Sequence, residues 1–285
     1  MFLRTANGLV LYTFTFRLIR IKKNIKDLKM GILEGKKALI FGVANDRSIA
    51  WGIAKALKDQ GASVALSYVN DAIKKRVEPL AEELGADFTF EMDVCNDDHY
   101  DSVRTLVEEK WGKFDILVHS IAFADRKDLK DKFMNTSREG FKLACDVSAF
   151  SLVGLTHSLA PIMNSGGSIM SMSYYGSQKV ITNYNVMGVA KAALEASTRY
   201  LAGELGEMGI KVNCISAGPV KTLAASGVSG FRDMLSQVAE VAPMRRNITP
   251  DDVGGTAVYL ASNLSSGVTG QVIYVDSGLS ILGGF

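Results

Sequence analysis

The chain has 285 residues, 47% of them hydrophobic and 22% charged, enough to bury a large core in one α/β domain or two small ones. Its net charge of +2 is uneven: residues 1–29 hold seven Lys/Arg and one Asp, leaving 25 basic and 29 acidic residues beyond them. That acidic body excludes the basic footprint of a nucleic-acid binder, and three scattered cysteines without a CxxC pair exclude a disulfide framework or a zinc site.

Residues 1–29 read as an N-terminal extension. Their apolar run, Leu9 to Phe16, is far shorter than a membrane span and lacks the small-residue cleavage site of a secretory signal. A basic, nearly acid-free leader suits an organelle transit peptide. The simpler reading is a disordered or untranslated stretch, with Met30 as the working start of a cytoplasmic protein.

From residue 37, strand and helix patterns alternate. Ala38–Gly42 is a short apolar strand ending in glycine, followed by a helix over Ile49–Asp59 that Gly61 closes. Ser63–Tyr68 is a second strand, 72–84 a helix closed by Gly85, and Asp87–Met92 a third strand. A helix over 97–111 leads to the fourth strand, Phe114–His119, where His119 reads as a packed side chain. After a polar loop, one long helix spans 138–163, and Gly167–Met172 is the fifth strand. A helix over 185–207 precedes strand Ile210–Ile215, and a helix over 251–262 precedes strand Gln271–Val275.

Seven apolar strands alternating with helices imply a parallel sheet covered on both faces. Right-handed crossovers make it a Rossmann-like, doubly wound, seven-stranded sheet. No linker or repeat divides 30–285, so it reads as a single domain.

Such a sheet binds its ligand at the carboxyl ends of its strands. The first turn, Gly42 to Gly52, is not GxGxxG, yet it offers a glycine at the strand end and Ser48-Ile49 at a helix start. Helix amides and a serine hydroxyl can hold a pyrophosphate; Ser48 can equally be a plain helix cap. No Arg or Lys stands at the second strand's tip, Tyr68-Val69-Asn70-Asp71, which favours NADH over NADPH. Asp93, ending the third strand, is placed to accept from an adenine amino group, with Val94 packing on the ring.

Tyr184 and Lys191 stand seven positions apart. On a helix that spacing puts phenol and ammonium on one face, two turns apart. The ammonium lowers the cost of phenolate character, and the phenol can donate to a developing oxyanion. The alternative is a packed tyrosine and a solvated lysine on an amphipathic helix. A second phenol, Tyr174, lies ten residues upstream.

Four segments in order, Gly42-x5-Ser48-Ile49-Ala50-x-Gly52, His119–Ala124, Tyr174-x9-Tyr184-x6-Lys191 and Ser216–Ala224, resemble bacterial-type, NADH-dependent enoyl-[acyl-carrier-protein] reductase. That family is a divergent branch of the short-chain dehydrogenase/reductases, and the likeness runs from Met30 to about Ile281. The resemblance implies reduction of the trans-2 double bond of an enoyl thioester on acyl carrier protein, the last step of fatty-acid elongation. It implies Tyr184 as hydrogen-bond donor to the enolate oxygen, Lys191 on the nicotinamide ribose, and Tyr174 as a second active-site phenol. Gly42, Ser48, Ile49, Val69, Asp93, Val94, Ile121, Lys191, Val220, Lys221, Thr222, Leu223 and Ala224 match cofactor positions. Ala124 matches a substrate-contacting backbone position. Val69 departs from the polar residue common in relatives, and the leader has no counterpart. The resemblance also implies a homotetramer, for which the apolar helices at 138–163 and 185–207 are candidate faces.

Two rival readings fit parts of the same pattern. Ser171 stands thirteen positions before Tyr184, the spacing of a ketoreductase acting on 3-oxoacyl thioesters. Against that, Asp146-Val147-Ser148 lies where a ketoreductase usually has an Asn-containing segment. A nucleotide sensor that kept the fold but lost catalysis would not need the Tyr/Lys pair. The stretch 218–242, rich in Ala, Ser and Gly, reads as a mobile substrate loop whose Phe231, Met234 and Leu235 either line an acyl tunnel or join the core.

Overall fold

The computed structural model describes residues 31–222 and 230–283. The readings for residues 1–29, Leu223 and Ala224 lie outside the described residues. Within them, seven parallel strands form one sheet in the order β3-β2-β1-β4-β5-β6-β7. The strands are β1 Lys37–Phe41, β2 Ser63–Tyr68, β3 Phe88–Glu91, β4 Phe114–His119, β5 Met163–Ser173, β6 Lys211–Ala217 and β7 Val272–Val275. The doubly wound parallel sheet expected from the pattern is therefore present.

The helices are α1 Ile49–Asp59, α2 Asp71–Leu84, α3 Asp97–Trp111, α4 Arg126–Lys130, α5 Arg138–Cys145, α6 Ser151–Leu159, α7 Val186–Leu205, α8 Phe231–Val241 and α9 Pro250–Ala261. Local chemistry sets their ends. Asn70, Asn96 and Ser137 accept first-turn amides, and Thr249 and Asp252 form a reciprocal capping box. Gly85 closes α2 with φ of 65°, a left-handed cap that glycine adopts without a Cβ clash.

Strand alternation splits the core between the two sheet faces. Ala38 and Ile40 pack with Ile53, Leu57, Val253 and Leu260 of α1 and α9. Leu39 and Phe41 pack with Val103, Leu152, Leu155 and Leu194 of α3, α6 and α7. Burial of each large side chain contributes about 1.5–3 kcal/mol, so both faces of a central strand such as β1 hold the fold together.

Three expectations are corrected. The helix expected over 138–163 is interrupted: α5 passes into a π-type turn, Asp146–Phe150, then α6, then a 3-10 turn, Ala160–Ile162. Ser148 supplies the reason, because its hydroxyl accepts from Phe123 N (3.1 Å) and donates to Phe123 O (3.2 Å), drawing the helix onto the β4 exit. The run Arg138–Ile162 is long and apolar enough by composition to cross a bilayer, but over half of it is buried, and its apolar face packs on the sheet. The fifth strand begins earlier than expected, and its register with β4 shifts between Phe114 and Ile116. The segment 218–242 is not a loop throughout, since its second half forms α8.

Candidate active site

The parallel strands deliver the sequence-predicted residues to one edge of the sheet. Gly42 follows β1, Val69 follows β2, Asp93 and Val94 follow β3, Ile121 and Ala124 follow β4, Tyr174 follows β5, and Val220 to Thr222 follow β6. Sheet order reverses between β1 and β4, the switch point where such folds open a crevice.

At that point the backbone approaches itself closely. Gly42 has φ of 99°, and a Cβ there would sit 2.1 Å from Ser120 O, so only glycine fits. Ser48 occupies the N-cap position of α1 but does not cap it. Its hydroxyl instead accepts from the Ala44 and Asn45 amides, both at 3.1 Å, and folds the turn into a compact loop. With no side chain capping α1, its first-turn amides, at Ile49 and Ala50, are left as donors for an anion. A cleft of about 360 Å³ separates Arg47 and Trp51 from Val220, Lys221 and Thr249, so the first turn and the β6 exit face each other.

The β3 exit is held by its own turn. Asp93 Oδ1 accepts from Cys95 N at 3.0 Å, and the Asp93 amide donates to His99 Nδ1 at 3.0 Å. Val69 is exposed at the β2 tip. Nearby Lys74 lies 5.4 Å from the centre of the Tyr68 ring, so its charge is already engaged.

The chemistry-bearing end lies past β5. Tyr174 and Tyr184 pack edge to face, ring centres 4.9 Å apart. Tyr184 shares a cluster with Ala124, Leu129, Val186 and Ala190, which brings the β4 exit against the Tyr184 ring. It does not stand on the helix, as the seven-residue spacing suggested, but in the turn before α7. Asn183 (φ 62°) and Asn185 (φ 39°) break the helix on either side of it. Asn185 Nδ2 donates to Leu129 O (3.1 Å) and Asp131 O (2.6 Å), tying this turn to α4.

The electrostatics also differ from the simple pairing. Burial pushes the Tyr184 phenol well above its ordinary range, and Tyr174 and Glu195 push the same way. Burial outweighs stabilisation of a phenolate, so Tyr184 is a neutral donor. Lys191 is 5% exposed, and its ammonium donates to Met172 O at 2.6 Å. Burial lowers it to about 8, against the opposing influence of Cys214 and Glu195. The Tyr174 hydroxyl, pushed up to about 12 by burial, donates to Met234 Sδ of α8 at 3.5 Å.

Ser171 does not complete a ketoreductase set. It is fully buried between β5 and α7, its hydroxyl 3.2 Å from Thr198 Oγ1. His119 is packed, as expected. Ser151 gives its proton to Val147 O (2.7 Å), so His119 Nε2 donates to Ser151 Oγ (2.7 Å). Burial, then Lys191, lowers this imidazole to about 3, and it stays neutral.

Residues 42–280 match the family model described as enoyl-(acyl carrier protein) reductase. The chain belongs to that family. A Rickettsia felis enoyl-[acyl-carrier-protein] reductase [NADH] is 51% identical over 89% of this chain and 97% of its own length. The crystal structure of the Aquifex aeolicus enoyl-[acyl-carrier-protein] reductase (NADH) covers 90% of this chain and 100% of its own, with 48% identity and a TM-score of 0.87. That of an Anaplasma phagocytophilum enoyl-(acyl-carrier-protein) reductase in complex with NAD covers 89% and 97%, with 49% identity and a TM-score of 0.86.

Membership in the enoyl reductase family leaves some of the site to be found in three dimensions. Glu195, Ser173, Ser177, Asn185 and Gly176 were not singled out by spacing. For Glu195 a signal existed: it lies one helical turn beyond Lys191 and shares its face. A Cβ at Gly176 would lie 2.5 Å from Tyr184 Cδ1 and 3.3 Å from Tyr174 Cδ1. Gly176→Ala must therefore displace the phenol pair. A loss of roughly tenfold to 10²-fold in kcat/KM is expected, with NADH affinity nearly unchanged. Steady-state kinetics beside a nucleotide fluorescence titration checks this, and an unaltered kcat/KM would show that the rings have room to spare.

Proposed function

We propose that this protein reduces the trans-2 double bond of an enoyl thioester carried on acyl carrier protein, with NADH, in the last step of the fatty-acid elongation cycle. NADH supplies a hydride to the β-carbon when bound. The reading rests on one observation above the others: two packed phenols stand at the β5 exit, while the ketoreductase serine is sealed inside the sheet. Reducing C=C in a thioester develops negative charge on the carbonyl oxygen, and a preorganised neutral donor stabilises it. Tyr184 is that donor. Tyr174 packs its ring on Tyr184 and borders the acyl chain together with Ala124.

The cofactor residues are assigned along the strand exits. Asp93 and Val94 hold the adenine, Val69 borders the adenosine, and Gly42, Ser48 and Ile49 hold the pyrophosphate. Ile121 and Val220 to Thr222 would hold the nicotinamide, joined by Leu223 and Ala224 on motif order alone, and Lys191 would hold the ribose hydroxyls. The crowded Gly42 turn and the uncapped start of α1 fit a pyrophosphate without a further basic side chain.

Oxidation of NADH with crotonyl thioester, compared with acetoacetyl thioester and repeated with NADPH, tests the assignment. Faster turnover of the keto substrate would make this a ketoreductase. The protein acts in the bacterial cytoplasm as a homotetramer: exposed Phe141 and Phe150 on one helical run, and Val189 and Tyr200 on α7, form apolar faces suited to self-association. Sedimentation showing a monomer at working concentration would sink that part.

A further inference from the structure

The β5 exit is gripped from one side by α7. Lys191 and Glu195 are four residues apart, so both point from the same face of the helix. The Lys191 ammonium holds Met172 O at 2.6 Å. The Glu195 carboxylate, 5% exposed, holds the next residue and one beyond the turn: Ser173 Oγ and Ser177 Oγ each donate to its Oε1 at 2.6 Å. Hydrogen bonds to an ionised acceptor are short and strong, and two on one oxygen fix both donors relative to each other. Between those donors lie only Tyr174, Tyr175 and Gly176. Burying a carboxylate is costly unless it is hydrogen-bonded, and the two serine hydroxyls meet that requirement.

We propose that Glu195 is a positioning residue for the reaction, a clamp on Ser173 and Ser177 that sets the Tyr174 turn against Tyr184. Both serines reach Tyr174 through the backbone they bracket, and the carboxylate is their common anchor. This rests on the enoyl reductase reading, since it assigns Tyr174 to the substrate. The clamp acts on substrate placement more than on NADH binding, because the cofactor's adenine and pyrophosphate contacts lie at β1 to β3, on the far side of β4.

The experiment compares Glu195→Ala, Glu195→Gln and the Ser173→Ala/Ser177→Ala double variant in the full-length protein. Crotonyl thioester kinetics and NADH affinity are read together, with the wild type assayed in parallel. Glu195→Ala and the double serine variant are expected to lose roughly tenfold or more in kcat/KM for the thioester, with NADH affinity within about threefold of wild type. Glu195→Gln keeps an acceptor oxygen for both hydroxyls and should recover to within about threefold. In a Tyr174→Ala background, which removes the ring the clamp positions, the Glu195→Ala loss should shrink to about threefold or less, because the two act through one group. A general structural role would leave the losses additive and the glutamine variant no better than alanine. If Glu195→Ala does not fold, the double serine variant carries the test. Wild-type kcat/KM in that variant, or full additivity with Tyr174→Ala, overturns the clamp. A wild-type protein inactive on the thioester would instead overturn the enoyl reductase reading.

Discussion

Tyr184→Phe is expected to lower kcat on crotonyl thioester by roughly 10²–10³-fold, the usual loss when one oxyanion donor is removed. The substitution deletes only the hydroxyl. The ring stays, and with it the edge-to-face contact with Tyr174 at 4.9 Å and the packing on Leu129 and Val186. Thermal stability and NADH affinity should therefore remain near wild type. The loss falls on kcat because the carbonyl oxygen gains its charge only as hydride arrives, and an interaction stronger in the transition state raises kcat, not ground-state binding. Burial keeps the phenol protonated through the working range, so the donor role does not depend on pH. Steady-state NADH oxidation beside a thermal melt is the measurement. A variant with kcat within about threefold of wild type would remove Tyr184 from the oxyanion, and a sensor reading of the fold would then regain ground.

Lys191→Met should be as damaging, by roughly 10²-fold in kcat/KM, but through cofactor placement. NADH affinity should fall with it, which separates this variant from Tyr184→Phe. The pH dependence follows from burial. An ordinary lysine carries its charge to about 10.5, whereas Lys191 loses it near 8 in the ligand-free enzyme. Wild-type kcat/KM, which reports the free enzyme, should therefore decline as pH rises through about 8. Stability moves the other way. Between about 8 and 10.5 the unfolded chain holds the proton that the native chain has released, so unfolding free energy rises with pH there. Below that window the buried charge is a constant cost. The wild type should gain stability relative to Lys191→Met from pH 8 to 10, read by denaturant titration at each pH. Parallel curves for the two proteins would place the lysine in solvent.

The alternation of short apolar runs with helical stretches was enough to place seven strands and most helices, because a strand buried on both faces must be apolar almost throughout. Two helices escaped. In α8 the apolar residues Phe231, Met234, Leu235, Val238 and Val241 carry a helical spacing. The small residues just before it drew the whole segment into a loop. In α4 only five residues are helical, too few to show a period. The π-type turn at Asp146–Phe150 was hidden because it arises from a side chain, Ser148, meeting backbone 25 residues away.

Motif order alone identified the phenols, the lysine and the strand exits, since a parallel sheet necessarily brings the residues after each strand to one edge. What those residues do there depended on packing. The spacing of Tyr184 and Lys191 suggested a shared helical face, yet Asn183 and Asn185 put Tyr184 in a turn, where it meets Tyr174. Ser171 matched a ketoreductase by count and proved to be sealed against Thr198. Glu195 was marked only by its place one turn beyond Lys191, and only the folded chain brings two hydroxyls onto its carboxylate. Local pattern determines which segments become strands and helices. Which side chains are dry, and which hydroxyl is spent on a neighbour, is decided by contacts between residues far apart in the chain.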